Sequence, residues 1–243
     1  MLESVMQSIA FIESNLHNDI GVCDVANAVS YSQFYFSREF SKHTHISVYD
    51  YILRRKISES YKDLFNKKIK IVDLAFRYGF QSHEVYTRAF RKVFGENPSE
   101  ATVYKPLAVY EPIDEPYLNF LSGLRVEIID KLSEDCFFEV NRVSSVSEVN
   151  SGGSYLILLS KKNLFNLNCV FQGNPSRSEN EILSFRLSPL RQKFRIYHTD
   201  AKLAFRYFID YFYDVDEMSS NFFMIQKEED HIDILVPYVS LLS

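Results

Sequence analysis

The sequence predicts a multidomain protein in which an all-α domain with two helix-turn-helix units precedes an α+β domain with an antiparallel sheet. Up to about residue 104, apolar residues recur with the period of an α-helix, and one pattern of two helices and a turn occurs twice. Residues 105–116 contain three prolines. Beyond them the apolar period changes to two, which is typical of β-strands. We therefore expect an all-α domain at residues 1–106, a linker at 107–116 and an α+β domain at 117–243.

The chain begins with a predicted helix at residues 4–17, whose apolar positions share one face: Val5, Ile9, Ile12 and Leu16. A first unit of two helices and a turn follows at residues 22–40, and Ser30 occupies the turn. A left-handed conformation at a non-glycine residue costs on the order of 1 kcal/mol, which the fold can accommodate.

The apolar pattern of residues 47–64 predicts a long helix that separates the two units. Its inward face is expected to contain four apolar residues: Val48, Tyr51, Ile52 and Ile57. Its three consecutive cations, Arg54, Arg55 and Lys56, are expected nearer to solvent.

The second unit, at residues 71–94, has the clearer pattern. Its first helix is expected to pack inward through Ile71, Leu74, Ala75 and Tyr78. Gly79 is then expected to end this helix in a left-handed conformation, and Ser82 to cap the next helix. In that next helix the predicted inward residues are Val85, Ala89, Phe90 and Val93, and the predicted outer residues are His83, Glu84, Thr87, Arg88 and Arg91.

The two units correspond residue by residue. Five pairs share a spacing of fifty: Ser32 and Ser82, Phe36 and Tyr86, Ser37 and Thr87, Arg38 and Arg88, and Phe40 and Phe90. Two such units in about a hundred residues resemble the AraC/XylS family of bacterial transcription regulators. The segment DLAFRYGFQSHEVYTRAFRKVFGENPSE is similar to that family's signature at nearly every diagnostic position, although Ala101 and Thr102 replace its usual Tyr-Arg pair.

The resemblance implies a sequence-specific DNA-binding regulator that inserts two recognition helices into adjacent major grooves of double-stranded DNA. It further implies an activator of stress or resistance promoters that contacts RNA polymerase. The long helix at 47–64 would be about 27 Å long, close to the roughly 34 Å of one DNA turn, and would act as a spacer. We expect such a protein in the cytoplasm, associated with the nucleoid.

Nine residues are the candidates for contact with DNA: Gln33, Phe34, Ser37, Arg38, His83, Glu84, Thr87, Arg88 and Arg91. Arg38 and Arg88 occupy the same register, and a guanidinium suits bidentate contact with guanine or contact with phosphate. Phe34 is expected to touch a thymine methyl group, and Glu84 to accept from cytosine.

Charge is distributed unevenly along the chain. The net charge of −5 divides into +2 for residues 1–106 and −7 for the remainder. The cations of the first part form clusters at residues 54–56, at residues 67–70 and around Arg88. Such clusters predict a phosphate-binding surface on a domain of small net charge.

Several other functions find no support in the sequence. No run of eighteen apolar residues and no basic leader is present, which argues against a membrane segment or a secretory signal. The three cysteines are expected to be buried free thiols, and His43 and His45 have neither the spacing nor the partners of a metal site. We find no nucleophile elbow, phosphate loop or metal cluster, and so expect no enzyme activity and no cofactor.

Residues 117–243 predict strands at 124–129, 136–143, 155–160, 167–171, 182–187, 222–226 and 232–236, a loop at 173–175 and a helix at 200–213. The ending FRIYHTDAKLAFRYFIDYF with HIDILVPY resembles the gyrase-inhibitor-like effector domain of the family's Rob subgroup, which has the same domain order. Relative to that domain, the first-half helix is shortened to residues 144–153.

The ligand of this second domain stays open. The related domains place an acidic residue near 222–225, where this chain has Phe-Phe-Met-Ile, so we expect no binding of organic cations. Asp233 is predicted to face away from Ile232, Ile234 and Val236.

An alternative function for the whole chain is a ligand-binding or protein-interaction module whose helical half contacts proteins. Salt-dependent binding to duplex DNA distinguishes the DNA-binding regulator from this alternative.

Overall fold

The computed structural model describes residues 1–66, 69–101, 109–130, 137–144, 153–158, 170–176, 184–186, 190–212 and 222–237. The chain divides into two compact units, Met1–Gly123 and Leu124–Ser243. The described residues of the first unit form seven helices: α1 Leu2–Ser14, α2 Val22–Ala28, α3 Gln33–Thr44, α4 Val48–Asn66, α5 Ile71–Arg77, α6 His83–Phe94 and α7 Glu115–Ser122.

The first helix-turn-helix consists of α2 and α3. Phe36 and Phe40 of α3 are fully buried, with ring centroids 5.6 Å apart, and Val25 and Ala26 of α2 are buried with them. The predicted inward face of α1 is confirmed, since all four of its residues are buried: Val5, Ile9, Ile12 and Leu16. This half of the unit therefore follows its apolar pattern closely.

The second helix-turn-helix consists of α5 and α6, which pack on α4. Its core contains Leu53, Ile57, Tyr61, Leu74, Ala75, Tyr78, Tyr86, Phe90 and Phe94. In the predicted inward face of α6, Phe90 is confirmed as fully buried, but Val85 was wrong, because it is 38% exposed and Tyr86 is buried instead. Three aromatic rings at positions 86, 90 and 94 fill the space against α4, and Ala89 and Val93 lie at its margin.

Helix α4 departs from its prediction in its cations. Arg55 is 2% exposed and Lys56 is 5% exposed, so the expectation that they lie near solvent was wrong. Arg55 donates to the carboxylates of Glu13 and Glu59, and Lys56 donates to the carbonyl of Asn18. Buried cations of this kind are retained only with such partners, and two of them, Glu13 and Asn18, come from a distant part of the chain.

The segment predicted as a linker packs on the first unit. The Tyr110 carbonyl accepts from Arg55, and the Tyr110 amide donates to Ser58 Oγ at 2.9 Å. Ile113 is buried. Asp114 then caps α7 by accepting from the Tyr117 amide at 3.0 Å. The division between the two units therefore falls after Gly123, and the boundary expected at 107–116 lies too early.

Helix α7 buries one whole face in the first unit, through Tyr117, Leu118, Phe120 and Leu121. At its end, the Leu121 carbonyl lies 2.9 Å from His45 Nε2, and Ser122 Oγ lies 3.2 Å from His43 Nδ1. The two histidines that close α3 therefore attach α7 to the first helix-turn-helix.

The second unit contains an eight-stranded sheet in the order β1-β6-β8-β7-β3-β4-β2-β5, and all its described pairings are antiparallel. Its elements are β1 Val126–Asp130, β2 Phe137–Ser144, β3 Gly153–Leu158, β4 Val170–Ser176, β5 Ser184–Arg186, β6 Leu190–Ile196, α8 Ala201–Phe212, β7 Phe222–Lys227 and β8 Ile232–Pro237. The predicted antiparallel sheet with one late helix is confirmed for the described residues.

Aromatic residues join α8 to one face of this sheet. Phe208 of α8 lies 5.1 Å from Phe194 of β6 and 5.1 Å from Phe223 of β7, measured between ring centroids. Asp200 caps α8 by accepting from the amides of Lys202 and Leu203. The predicted helix at 200–213 is confirmed over Ala201–Phe212, and it buries aromatic side chains against this face of the sheet.

One loop prediction in this unit was wrong. Residues 173–175 lie within strand β4 and pair with Phe138, Glu139 and Val140 of β2, and Gly173 also pairs with Ser154 of β3. This strand pairing overrides the local turn preference of Gly and Pro. The predicted burial of Cys23 was wrong, because its free thiol is exposed on α2. The other two cysteines, Cys136 and Cys169, lie outside the described residues, as do Lys67, Lys68 and most of the expected short helix at 144–153.

Candidate nucleic-acid interface

Helices α3 and α6 begin with the same cap. Ser32 Oγ accepts from the Tyr35 amide at 3.4 Å, and Ser82 Oγ accepts from the Val85 amide at 3.3 Å. Each serine satisfies one of the amides that the first turn of a helix leaves without a helical partner. The cap predicted at Ser82 is confirmed, and its equivalent fifty residues earlier has the same geometry.

The two turns also share one backbone conformation. Ser30 has a φ angle of 61° and Gly79 a φ angle of 72°. The predicted left-handed conformation is therefore confirmed at both positions. The first unit accommodates a serine side chain where the second has glycine, so the backbone path from the first helix to the second is preserved.

The outer face of α3 begins with two exposed residues, Gln33 and Phe34, and Phe34 is 81% exposed. An isolated phenylalanine exposed to this extent on the first turn of a helix is available for contact with a partner. One turn later, Ser37 is half-buried and Arg38 is exposed. The Arg38 guanidinium lies 3.4 Å from Glu39 and 5.4 Å from the ring of Tyr35, which leaves most of its surface accessible.

The outer face of α6 carries four exposed predicted residues: His83, Glu84, Arg88 and Arg91. Hydrogen bonding from the Ser82 hydroxyl lowers the pKa of Glu84 below its ordinary value. Glu84 is therefore ionised at neutral pH and stands at the positive end of the helix, where a carboxylate is favoured.

Thr87 differs from the other predicted residues. It is half-buried, and its hydroxyl oxygen is buried without a hydrogen-bond partner among the parts of the chain that the structure describes. In this conformation the oxygen points away from the outer face of α6. Its methyl group is the part of the side chain left to contact a neighbouring molecule.

The predicted phosphate-binding clusters are only partly at the surface. Arg55 and Lys56 are buried, so the cluster at 54–56 is reduced to Arg54, which stacks on the ring of Tyr110 at 4.5 Å. Arg88, Arg91 and Lys92 remain exposed on α6. Lys92 pairs with Asp50 at 2.9 Å; burial would raise the pKa of Asp50, but hydrogen bonds from Lys92 and Ser47 outweigh it and lower that pKa.

A further exposed cation was missed. Lys42 lies in the last turn of α3 and Lys92 in the last turn of α6, and both are exposed. Their spacing of fifty residues is the same as that of Arg38 and Arg88, and this signal was present in the sequence. The two recognition helices therefore present matched cations at their middle and at their end.

No group of three or more histidine, cysteine, aspartate or glutamate side chains among the described residues could hold a metal ion. No helix in the same part of the chain is long and apolar enough to cross a membrane.

Comparison with known proteins gives the same family for this unit. A family model described as a helix-turn-helix domain matches residues 25–102. The transcriptional activator AarP of Providencia stuartii is 30% identical over 112 residues, which are 44% of this chain and 83% of AarP. The probable transcription factor PqrA of Proteus vulgaris is 31% identical over 103 residues, 41% of this chain and 84% of PqrA.

Two further comparisons cover the same region. The uncharacterised regulator YbfP of Bacillus subtilis is 36% identical over 96 residues, and this chain matches only about a third of its length, 32%. Among solved structures, the DNA-binding domain of AdpA in complex with a target DNA is 21% identical and covers 39% of this chain and 86% of that domain, with a TM-score of 0.36.

The paired helix-turn-helix units and these relatives define a class, the DNA-binding transcription regulators. Within that class, the chain belongs to the AraC/XylS family.

Proposed function

We propose that this protein activates transcription by binding a specific DNA sequence with α3 and α6 in two adjacent major grooves. The observation that carries the proposal is the equivalence of the two helices. They share a serine cap, a left-handed turn before it, and an exposed arginine at the same register. Two copies of the same exposed helix in a single unit are expected when the binding partner has a repeating surface, as a DNA duplex has with each turn.

Arg38 and Arg88 are the central contacts of this proposal. Their guanidinium groups are exposed near the middle of each helix, where each can make a bidentate contact with guanine or bind a phosphate. Lys42, Arg91 and Lys92 then provide phosphate contacts further along the two helices.

The remaining candidates read base edges at the helix starts. We assign Phe34 to a thymine methyl group, Glu84 to a cytosine amino group, and Gln33, Ser37 and His83 to the neighbouring bases or phosphates. Thr87 contributes through its methyl group, since its hydroxyl oxygen is buried.

The length of α4 supports the proposed spacing. Its 19 residues give a helix of about 28 Å, close to the roughly 34 Å between successive major grooves on one face of DNA. Both helix-turn-helix units belong to one compact unit that also contains this helix, so a single chain is expected to reach both grooves.

Activation, contact with RNA polymerase and control of stress or resistance promoters complete the proposal. AarP is named a transcriptional activator, and SoxS of Escherichia coli, 29% identical over 96 residues, is named a regulatory protein. In this proposal the chain acts on the bacterial nucleoid in the cytoplasm.

We assign the second unit to a gyrase-inhibitor-like effector or interaction role without binding of organic cations. Its buried Asp233, 3% exposed, is already paired with Lys193 at 2.9 Å and with Arg195 at 2.9 Å. Burial alone would raise the pKa of Asp233, but hydrogen bonds from Arg195 and Lys193 outweigh it and lower that pKa. A carboxylate with two cations has no charge left for a cationic ligand.

The test is a selection of bound sequences from random duplex DNA, followed by titration of the selected site at several salt concentrations. The proposal predicts that the logarithm of the affinity falls linearly with the logarithm of the salt concentration, with a slope that counts several phosphate contacts. Failure to enrich any sequence, together with binding that does not depend on salt, would favour the protein-interaction alternative.

A further inference from the structure

We propose that Asn18, Lys56 and Gly79 form a junction that fixes the spacing between the two recognition helices, and with it the DNA spacing that the protein accepts. This inference rests on the proposed function. The junction joins the loop after α1, which belongs to the first half of the unit, to the turn of the second helix-turn-helix.

Backbone contact is the first component of the junction. A Cβ atom placed on Gly79 would lie 2.7 Å from the Asn18 carbonyl oxygen and 2.9 Å from the Asp19 nitrogen. Both distances are shorter than a real Cβ contact, and the opposing atoms are main-chain atoms that cannot rotate away. The second turn is therefore pressed directly against the loop after α1.

Comparison of the two turns shows whether glycine is required at position 79 by the turn conformation or by this contact. Ser30 has the same left-handed conformation as Gly79, with φ angles of 61° and 72°, and yet Ser30 carries a side chain and is exposed. The turn conformation alone thus admits a non-glycine residue in this protein. What requires glycine at position 79 is the approach of the Asn18 backbone.

A buried ammonium group is the second component. Lys56 Nζ donates to the Asn18 carbonyl at 2.6 Å and lies 5.9 Å from the centre of the Phe80 ring. Burial lowers the pKa of Lys56, so the group is retained there at an energetic cost. The carbonyl that Lys56 holds is the one that meets Gly79, and α4 thereby joins both sides of the contact.

The residues just before the contact extend it. His17 and Tyr78 have ring centroids 4.5 Å apart, and His17 Nδ1 lies 3.2 Å from the Arg77 carbonyl oxygen. Residues 17–19 therefore meet residues 77–79 along a continuous line.

The geometric consequence follows from the number of connections. Helix α4 joins the two helix-turn-helix units covalently and packs on elements of both, through Arg55 to Glu13 of α1 and through the core that it shares with α6. The contact of residues 17–19 with residues 77–79 adds a direct connection between the same two halves. This connection restrains shifts of the second helix-turn-helix relative to the first, so each recognition helix has a fixed position relative to the other.

The experiment measures spacing selectivity with full-length protein. Affinity is determined at fixed salt for the selected DNA site and for versions with one base pair inserted or removed between its two halves, a change of about 3.4 Å and about 35°. The junction variants are Lys56→Met, which removes the ammonium and keeps the apolar stem, Gly79→Ala, and His17→Ala at the exposed rim.

The controls match each variant. Lys62→Met removes a partly exposed lysine from the same helix, and Gly95→Ala adds a Cβ at another left-handed glycine, with a φ angle of 74°. We expect wild type and controls to lose at least tenfold in affinity on altered spacing. For the junction variants we expect weaker binding to the original site and a spacing penalty below threefold.

Two results would overturn the junction: a wild-type protein indifferent to spacing, or folded junction variants that keep the full spacing penalty. His17 is exposed, so His17→Ala decides the question should the two buried changes prevent folding. A wild-type protein that binds no duplex in a salt-dependent manner would reject the proposed function as well, which distinguishes that failure from failure of the junction alone.

Discussion

Arg55 and Glu13 form a two-point ion pair between helices α4 and α1, with Nε 2.8 Å from one carboxylate oxygen and Nη2 2.8 Å from the other. The same guanidinium donates to Glu59 at 2.9 Å and to the Tyr110 carbonyl. One buried side chain thus joins α1, α4 and the segment that leads into α7.

Replacement of Arg55 by Met is expected to destabilise the helical unit by about 2–4 kcal/mol. Breaking a fully buried pair costs roughly 3–5 kcal/mol, and the partly exposed carboxylates of Glu13 and Glu59 reduce that cost. Chemical denaturation followed by helical ellipticity measures the change. Lys62→Met, which removes a partly exposed partner of Glu59, is the control and should cost less than about 1 kcal/mol. Equal losses for the two variants would contradict the role of Arg55.

The attachment of α7 through His43 is expected to weaken in acid. Burial and the neighbouring Lys42 lower the pKa of His43 below 6.5, its unfolded value. A base whose folded pKa is lowered binds fewer protons when folded, so its contribution to stability is complete above 6.5 and is lost as the pH falls below it. Denaturation between about pH 8 and pH 5 should show a shallower slope for His43→Gln than for wild type.

Ser122→Ala separates burial from hydrogen bonding in that experiment. It removes the contact at 3.2 Å and keeps the imidazole, so most of the wild-type slope should remain. An identical pH dependence for wild type and His43→Gln would show that this histidine does not couple α7 to pH.

Thr87→Val is expected to stabilise the protein by about 1 kcal/mol, because it removes a buried hydroxyl that has no partner in the described structure. Valine keeps the methyl group, so affinity for the selected DNA should stay within about twofold. Thr87→Ser, which keeps the hydroxyl, is the control and should show no gain in thermal stability. A tenfold loss of affinity for Thr87→Val would instead mean that the hydroxyl turns outward to a base.

Arg38→Ala and Arg88→Ala should each weaken specific binding by about 1–3 kcal/mol, the range for loss of a base contact or charged contact. A gel-shift titration at fixed salt on the selected site measures this. Arg125→Ala, an exposed arginine of the second unit, is the matched control and should bind as wild type does. If either test variant bound with wild-type affinity, the result would count against a base or phosphate contact by the helix that carries the substitution.

Local patterns in the sequence predicted helices α1 to α6, the cap at Ser82 and the left-handed turns, because each depends on residues close in the chain. In α6 the inward position of Phe90 was predicted correctly, but Val85 was assigned the buried position that Tyr86 occupies. Apolar character favours Val85 over Tyr86, while the space against α4 requires an aromatic ring there. The spacing of fifty that relates Phe36 to Tyr86 contained the correct answer.

Long-range partners explain the other errors. Arg55 is buried because Glu13 and Tyr110 neutralise and satisfy it, and these residues lie 42 and 55 positions away. No local pattern contains that information. For the same reason the proline-rich segment was expected to be a linker, although Tyr110 and Ile113 attach it to α4.

The central claim is that one chain occupies two adjacent major grooves. Hydroxyl-radical footprinting on the selected site, with sedimentation to establish one chain per duplex, tests it most directly. We predict two protected segments on one face, centred about 10 base pairs apart within roughly 20 base pairs, with Arg38→Ala losing one segment and Arg88→Ala the other. Protection of a single segment by a monomer, unchanged in its position by either substitution, would contradict the account.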